Sequence, residues 1–550
     1  MSIRTNKMKA VPVLLKQLMI ARSKFHERET DASFDRKLEK LRLDLNKIKN
    51  VFVRVKKNEE ELLDILAEVY DHLHKLDRSK LDEDMDDICK RIKYSAHKLV
   101  PMDAFDDSSK EEDHKGGQIF HSSQQLQQPH QMSWTPGDFY QLDSFLKSCL
   151  SSLLIFPKNA VIRKSNAINL WIGEGLIKDT RDETADELGE DVIDDLLKCY
   201  VIVRYSNGKS SRFNKFLILP SIHRQLESHV SKEDVEHPRN SRIDKLKLER
   251  KRETVGDWYF DYSIRSIFNV GASYLYFRPQ WGKIFPNLEV LQLGRWQDSP
   301  SHHIEVGSEE FLKELKNLRQ LKYLSLRGIS RIFELPSSIV ELERLLVLDL
   351  KACHNLETLP NDISSMKSLT HLILSQCYLL EGMPKGIEKL TNLKVLKGFI
   401  ISTPEKTPCR ISDLVNLKKL KRLSIHIGRE AVIKDMEFES LKEFLALQRL
   451  KISWSVSDPK YGNIYVILPP SLTKLHLKCF PGKDFGECFF DYIYLQQPIE
   501  LNITGGKLES MNVYFDWTFV NILRLKYLKQ LKVDINYLKS LFPYAEIFKN

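Results

Sequence analysis

The chain has 550 residues, with 42% hydrophobic and 29% charged residues and a formal net charge of +9. These values predict a soluble globular protein of two to four domains, and the mild charge favours acidic partners without indicating nucleic acid. The apolar stretch from Ala10 to Ala21 contains Pro12, Lys16 and Gln17, so it is too short and too interrupted to span a membrane. We therefore expect an intracellular, cytoplasmic protein, with peripheral contact at the plasma membrane as an alternative.

The eight cysteines show no paired CxxC spacing, so the sequence predicts neither a zinc site nor a disulfide framework. No paired carboxylates, metal-ligand cluster or nucleophile constellation occurs at a diagnostic spacing. We expect a protein that is not an enzyme and that needs no cofactor.

Residues 1–103 predict a helical or coiled-coil domain, because neither Gly nor Pro occurs between Pro12 and Pro101 and continuous helix is favoured. The apolar side of this predicted helix packs either within the chain, as a bundle with a break near residues 58–61, or against another chain, as a coiled coil. The bundle is preferred. One apolar series alternates every three and four residues along this segment: Leu38, Leu41, Leu45, Ile48, Phe52, Val55, Leu62, Leu66, Val69, Leu73 and Leu76.

Residues 104–137 predict a flexible linker because charged, Gly, Gln, Ser and His residues replace the apolar ones. A second polar stretch, 233–255, is interpreted as another linker, although a solvated helix remains possible there. Between them, residues 138–232 contain a predicted hairpin from Tyr200 to Leu219 with Asn207-Gly208 at its turn. The triplet Gly208-Lys209-Ser210 lacks the upstream glycine of a phosphate-binding loop, since Val203 stands at that position.

Residues 256–550 predict a leucine-rich-repeat solenoid of short parallel strands. The pattern LxxLxL begins at Leu321, Leu345, Leu369 and Leu393, with a spacing of 24 residues. Leu335-Pro336, Leu359-Pro360 and Met383-Pro384 mark the opposite side at the same period. Looser copies of the pattern begin at Leu288, Leu420, Leu447, Leu472 and Leu528.

The segment FLKSCLSSLLIFPKNAVIRKSNAINLWIGEGLI, from Phe145 to Ile177, carries Cys149, Phe156-Pro157 and the run Leu170 to Ile177. The stretch DELGEDVIDDLLKCYVIV follows it. In residue identity and order these segments resemble the winged-helix segment of plant nucleotide-binding leucine-rich-repeat (NLR) immune receptors of the coiled-coil class. The resemblance implies a winged-helix domain whose wing is the predicted hairpin.

Two departures from that family bear on mechanism. No GxxxxGK[ST] sequence occurs in the chain, and only the linker stands where the family has its nucleotide-binding module. The family's Met-His-Asp triplet is also missing, so His223 is interpreted as a surface or capping histidine. The resemblance therefore implies a truncated relative without its own nucleotide switch. Glu190 to Asp194 is interpreted as part of an amphipathic helix with Val192 and Ile193 facing inward.

Each repeat is expected to expose the side chains at offsets one, two, four and six after its first Leu on the concave face. These slots are rich in cations and contain only three acidic residues, Glu289, Asp349 and Asp534. A ladder of cations produces a field that attracts acidic partners, although cations also serve simply to keep a strand face soluble. The candidate protein-binding residues are Lys322, Tyr323, Arg327, Lys351, His371, Lys421, Arg422, His426, Arg449, Lys451, Lys474, His476 and Lys478.

The fold class expected is therefore multidomain α plus α/β, with a helical bundle or coiled coil, a winged helix and a leucine-rich-repeat solenoid. The function expected is plant defence by binding, as a sensor, decoy or regulator. Its partner would be a pathogen effector, a guarded host protein or a complete immune receptor, and the N-terminal helices could self-associate. The alternatives are a non-immune scaffold and, less favoured, a nucleic-acid-binding winged helix, because the helix around Ser165 to Glu174 is apolar.

Overall fold

The computed structural model divides the chain into two compact units. One comprises Met1–Arg250, Ser263–Ala272 and Trp296–His302, and the other comprises Lys251–Tyr262, Ser273–Arg295 and His303–Asn550. The residues that the structure describes are 7–26, 32–48, 60–75, 78–99, 142–181, 183–205, 213–220, 222–227, 245–257, 263–297, 304–428, 430–434, 437–455, 461, 464–486, 495–512 and 518–549.

The N-terminal segment is a bundle of helices, the alternative that the sequence analysis preferred. A single long helix would leave its apolar seam in water, whereas folding back buries it. Phe25 and Phe34, from the first two helices, meet edge to face with ring centroids 5.5 Å apart. Phe52, Val55, Leu76 and the expected break at 58–59 lie outside the described residues. The helices are α1 (Lys7–His26), α2 (Ala32–Ile48), α3 (Glu60–Lys75) and α4 (Arg78–Leu99).

The core of this bundle is shared by the four helices that the structure describes. Leu14 and Leu18 of α1, Leu41 of α2, Leu66 of α3 and Ile88 of α4 are almost completely buried in one cluster. The preferred sequence alternative, closure of the seam within the chain, is therefore the arrangement that the structure has.

The middle of the chain forms a winged helix. Its strands pair antiparallel in the order β1-β3-β2, and the pairing of β2 with β3 confirms the predicted hairpin. The hairpin turn at Asn207-Gly208 lies outside the described residues. The elements are α5 (Ser144–Ser152), β1 (Ile162–Arg163), α6 (Lys164–Glu174), α7 (Ala185–Lys198), β2 (Ile202–Arg204) and β3 (Lys215–Ile218).

Local signals explain where the winged-helix elements begin and end. Asp143 precedes α5, and its Oδ1 accepts a hydrogen bond from the Leu146 N–H at 2.8 Å. Thr184 and Glu187 form a capping box at the start of α7. Gly175 ends α6 in a left-handed conformation with φ of 73°, which glycine adopts without steric cost.

The winged helix packs against the first two strands of the repeat pattern within the same unit. These strands, β4 (Lys245–Leu248) and β6 (Ser266–Asn269), pair in parallel. Phe156 meets Phe268 edge to face at 5.1 Å, and the Lys247 Nζ donates to the Leu154 carbonyl at 3.0 Å. The side chains of Phe156 and Phe268 are therefore buried against each other.

Strand β4 lies inside the segment that the sequence assigned to a polar linker, so the linker assignment of 233–255 is wrong from residue 245 onward. Strand β5 (Arg252–Val255) occupies the end of the same segment, and it pairs in parallel with β7 (Tyr274–Phe277). The lysines and arginines that suggested a linker alternate with Leu248 and Val255, which are buried. Short strands with one buried residue leave a weak apolar signal.

The second unit contains the long parallel sheet of the repeats. Every predicted copy from Leu288 to Leu472 forms a strand that begins two residues after its first Leu. The strands pair in parallel in chain order, apart from β9, which pairs with β7 instead. They are β8 (Val290–Gln292), β9 (Glu305–Val306), β10 (Tyr323–Ser325), β11 (Val347–Asp349), β12 (His371–Ile373), β13 (Val395–Ile401), β14 (Arg422–Ile427), β15 (Arg449–Trp454), β16 (Lys474–Phe480), β17 (Ile499–Gly506), β18 (Val520–Lys526) and β19 (Glu546–Lys549).

The repeat leucines stack into one continuous core. Leu324, Leu348, Leu372 and Leu396 face each other along the strands β10 to β13 and are completely buried. Several repeats have a 3-10 turn on the opposite side, such as Ser337–Glu341, which begins directly after the predicted proline punctuation. Each repeat buries its leucines only against its neighbours, as expected for a solenoid.

The looser copy at Leu528 does not form a strand. Asp534, which had been assigned to a repeat strand, instead precedes helix α8 (Ile535–Leu541), and its side chain accepts a hydrogen bond from the Asn536 N–H. Asp is a favoured residue at this position because its carboxylate satisfies an orphan helix donor. Strands β17 and β18 precede this segment. On β17 the alternate residues Ile499, Leu501 and Ile503 are buried.

Candidate protein-recognition surface

The concave face of the sheet consists of the strand side chains that alternate with the buried leucines. On β14 the side chains of Leu423, Ile425 and Ile427 are buried, whereas Arg422 and His426 remain half-buried. Parallel pairing without a register shift places equivalent residues of β14, β15 and β16 side by side. The resulting rows are Arg422, Arg449 and Lys474; Ser424, Lys451 and His476; and His426, Ser453 and Lys478.

Most of the candidate binding residues are accessible. Arg449 is exposed, and the others in this group are half-buried. The accessible candidates concentrate on β14 to β16, where we define the basic surface as Arg422, Arg449, Lys451 and Lys478. The accessible residues are Lys322, Lys351, Lys421, Arg422, His426, Arg449, Lys451, Lys474, His476 and Lys478.

Three candidates are buried, so the expectation that they face solvent is wrong. Tyr323, Arg327 and His371 expose only 3–4% of their surface. The Tyr323 hydroxyl donates to the Gln292 Oε1 at 2.6 Å, and burial raises the pKa of Tyr323 above its ordinary range. Strands about 4.8 Å apart allow large neighbouring side chains to cover one another. Alternation in the sequence predicts on which face of the sheet a residue lies, but it does not predict whether side chains of neighbouring strands bury it.

The basic surface holds like charges close together. Burial lowers the pKa of Lys451, and the charge of Lys478 lowers it further. Both effects disfavour the protonated amine, so an anion brought to this surface would relieve part of the electrostatic cost. Two other lysines of this face form ion pairs, Lys322 with Glu289 at 2.8 Å and Lys474 with Glu500 at 2.9 Å.

Glu500 on β17 was missed by the sequence analysis. Its carboxylate lies 2.9 Å from Lys474 Nζ and 3.2 Å from Arg524 Nε, and Asn502 donates to it at 3.1 Å. Burial alone would raise the pKa of Glu500, but the hydrogen bond and charge of Lys474, aided by Asn502 and Arg524, lower it to about 2. The alternation Ile499, Leu501, Ile503 was the available signal for this strand.

The two half-buried histidines of this face act as neutral hydrogen-bonding groups. His426 lies 3.1 Å from the Ser453 hydroxyl and 2.8 Å from the Ser455 hydroxyl. Burial, with the charges of Lys451 and Lys478, lowers the pKa of His426 to about 4. Burial and the neighbouring lysines also lower the pKa of His476 to about 4. Neither histidine therefore adds positive charge near neutral pH.

The winged helix uses its middle helix for packing. The central residues of α6, from Ala167 to Gly173, are buried, and the Trp171 Nε1 donates to the Cys149 carbonyl at 2.9 Å. Val192 and Ile193 of α7 are buried as well, which confirms the predicted amphipathic helix. These contacts support the interpretation that α6 is a structural helix rather than one that enters a DNA groove.

His223 is buried, so its interpretation as a surface histidine is wrong. Only 2% of its surface is exposed, its Nε2 lies 3.3 Å from the Phe156 carbonyl oxygen, and its Nδ1 lies 3.5 Å from Glu227. A polar ring enters an apolar core when such partners replace water. The histidine therefore connects the helical segment 222–227 to the Phe156 backbone.

Among the described residues, no group of three or more His, Cys, Asp or Glu side chains is arranged to hold a metal ion. The described cysteines, which do not include Cys488, are free thiols. No helix within the described ranges is long and apolar enough to cross a bilayer.

Two protein-family models match parts of the chain. The disease-resistance winged-helix domain model matches residues 155–223, and a leucine-rich-repeat region model matches residues 263–485. Disease resistance RPP13-like protein 4 of Arabidopsis thaliana is 38% identical over 64 residues, and disease resistance protein PIK6-NP of rice is 22% identical over 220 residues. The chain is similar to plant disease-resistance proteins over these segments.

The similarity to these disease-resistance proteins is partial. The matched segments cover 12% and 37% of this chain, and they span only 8% and 20% of the two relatives. The resemblance drawn from Phe145 to Ile177 is confirmed by the winged-helix match, which starts at residue 155. The nucleotide-binding motif GxxxxGK[ST] is absent from the sequence.

Two solved structures align with about half of this chain. A leucine-rich-repeat protein of Leptospira interrogans aligns at a TM-score of 0.33 and 20% identity, covering 52% of this chain and 72% of that one. The Arabidopsis receptor kinase HAESA, in complex with the peptide hormone IDA and the co-receptor SERK1, aligns at a TM-score of 0.28 and 18% identity, covering 52% and 47%.

Proposed function

We propose that this chain is an intracellular plant defence protein that recognises a protein partner through its leucine-rich repeats. It acts without catalysis and without a nucleotide switch of its own, as a sensor, decoy or regulator. The partner is a pathogen effector, a guarded host protein or a complete immune receptor. The family matches and the absence of GxxxxGK[ST] support this assignment.

The observation that carries the proposal is the basic surface on β14 to β16. Arg422, Arg449, Lys451 and Lys478 occupy neighbouring positions on paired strands, and all are accessible. Accessible like charges on rigid strands favour an acidic partner and speed its diffusional encounter. We therefore expect the partner to present an acidic patch, and its binding to weaken as salt is raised.

Affinity purification from leaf tissue tests this proposal. The bait is the whole chain, purified beside a concave variant in which Arg422, Arg449, Lys451 and Lys478 are each changed to Glu. A matched convex variant changes four exposed lysines on the side of the 3-10 turns to Glu, and it therefore carries the same change in net charge. These lysines are Lys316, Lys367, Lys418 and Lys442.

The expected result is that the wild type and the convex variant retain the same defence-related partner, whereas the concave variant loses it. Circular dichroism melting of all three proteins controls for folding. Loss of the partner in both variants would show a dependence on net charge alone. Retention by the concave variant would contradict the proposed surface and favour the scaffold alternative, in which the N-terminal helices bring proteins together.

A further inference from the structure

A second group of cations lies just beyond the C-terminal ends of strands β8, β10 and β11, on different strands from the basic surface defined above. It consists of Arg295, Arg327 and Lys351. The Arg295 N–H donates to the Arg327 carbonyl at 2.8 Å, and the Gly328 N–H donates to the Lys351 carbonyl at 2.9 Å. These bonds hold the three cationic residues on successive repeats of a rigid sheet.

Gly328 makes the close approach of two repeats possible. Its φ is 73°, and a Cβ at this position would lie 2.8 Å from the Arg295 Nε and 3.0 Å from its Cδ. The side chain of Arg295 therefore lies directly across the backbone of the next repeat, where any larger residue would displace it. Ala352 stands at the equivalent position one repeat later, again with a positive φ.

The cluster is mostly buried but opens to solvent at one residue. Arg295 and Arg327 expose 7% and 4% of their surface, whereas Lys351 is half-buried. Asp349 is the acidic residue of these strands, and its Oδ1 accepts a hydrogen bond from the Lys351 backbone N–H at 2.9 Å. Counted over these four side chains, three cations and one carboxylate give a formal charge of about +2.

This excess of charge perturbs the cluster itself. Burial and the charge of Arg327 together lower the pKa of Arg295 to about 10, whereas Asp349 opposes the shift. Burial and the charges of Arg327, Arg295 and Lys451 lower the pKa of Lys351 to about 8, again against Asp349. A bound anion would stabilise the protonated form of Lys351 and raise its pKa.

We propose that Arg295, Arg327 and Lys351 form a binding site for a phosphoryl dianion, either free phosphate or a phosphate monoester. A dianion balances the positive excess, and two guanidinium groups with an ammonium group supply donors for several phosphoryl oxygens. The site does not depend on the protein partner proposed above, because its residues lie on different strands from the basic surface.

Isothermal titration calorimetry of the whole chain at pH 8 tests the site. The probes are inorganic phosphate, glycerol 3-phosphate and, as a carboxylate, acetate. Each is titrated in two buffers with different ionisation enthalpies, so that proton uptake is measured. Because Lys351 is about half protonated at this pH, we expect the binding of phosphate to take up as much as about half a proton more than the ligand's own ionisation predicts.

Two substitutions at Lys351 separate binding from a general loss of structure. K351R keeps the positive charge but does not titrate near pH 8, so phosphate should still bind without the extra proton uptake. K351M should weaken binding by about tenfold or more. K316M, on an exposed lysine outside the cluster, should behave like the wild type.

Binding of phosphate alone would assign the site to the free ion, and binding of both phosphates would extend it to monoesters. Binding of glycerol 3-phosphate alone would restrict the site to monoesters. The proposal is overturned if neither phosphate nor glycerol 3-phosphate binds, or if K351R takes up the same number of protons as the wild type. Acetate binding as tight as that of phosphate would also overturn it, because the site would then be a carboxylate site.

Discussion

The two half-buried histidines of the concave face make the stability of the repeats depend on pH. His426 and His476 have folded-state pKa values of about 4, whereas a histidine in an unfolded chain titrates near 6.5. The unfolded chain therefore binds more protons than the folded one between these values. Stability is fully present above pH 6.5 and falls as the pH is lowered towards 4.

The size of the effect follows from the two pKa values. Between neutral pH and pH 5, each histidine should reduce the free energy of unfolding by about 2 kcal/mol, and both together by about 4 kcal/mol. These free-energy changes are upper limits, because both histidine side chains keep some contact with water. The Ser453 hydroxyl donates to the Ile425 carbonyl, so it accepts a hydrogen bond from His426 Nδ1, and the neutral ring can accept one from Ser455 at Nε2. Protonation of His426 Nε2 would remove this second acceptor.

Urea unfolding at pH 7.5 and pH 5.0 measures this dependence, with the fluorescence of buried Trp454 on β15 as a probe close to His426. His426→Gln and His476→Gln should each lower stability at neutral pH and should each remove about 2 kcal/mol of the pH dependence. The same substitution at His74 of α3, an exposed histidine outside the repeats, serves as the control. An imidazole NMR titration that places either pKa above 6 refutes the reasoning.

Three further substitutions test the packing that the structure describes. E500Q removes the buried carboxylate between two cations and should cost about 3 kcal/mol. G382A would place a Cβ 1.7 Å from the Lys406 carbonyl oxygen, so it should cost about 2 kcal/mol or more through displacement of that turn. W171F removes the hydrogen bond to the Cys149 carbonyl and should destabilise the winged helix by about 2 kcal/mol.

Urea unfolding followed by circular dichroism measures these three changes. The repeat variants at 500 and 382 should leave the unfolding of the winged helix unaltered, and the variant at 171 should leave the repeats unaltered. A stability within 0.5 kcal/mol of the wild type, roughly the limit for surface substitutions, would contradict the described contact in each case.

The repeat fold was predictable because one short pattern recurs. The leucines at 321, 345, 369 and 393 recur every 24 residues, and each precedes a strand of the sheet. The looser pattern at Leu528 failed because Asp534 competes for a helix start, and this local signal prevailed over leucine spacing.

The candidate surface was predictable only in part. Offsets within a repeat placed Arg449 and Lys451 correctly on the accessible face. They could not show that Tyr323 and Arg327 are covered, since this depends on the side chains of neighbouring strands. Arg295 was overlooked because it stands one position beyond the offsets considered, and only the contact with Gly328 reveals its place.

Site-specific photo-crosslinking tests the central claim, recognition of a partner by the concave face, most directly. A photoreactive residue is placed at Ser453, within the basic surface, or at Glu443, which is exposed on a 3-10 turn. Irradiation in leaf tissue should join Ser453, but not Glu443, to the same partner that affinity purification retains, and charge reversal of the basic surface should abolish this product. Crosslinking from Glu443 alone, or undiminished crosslinking after charge reversal, would contradict the account.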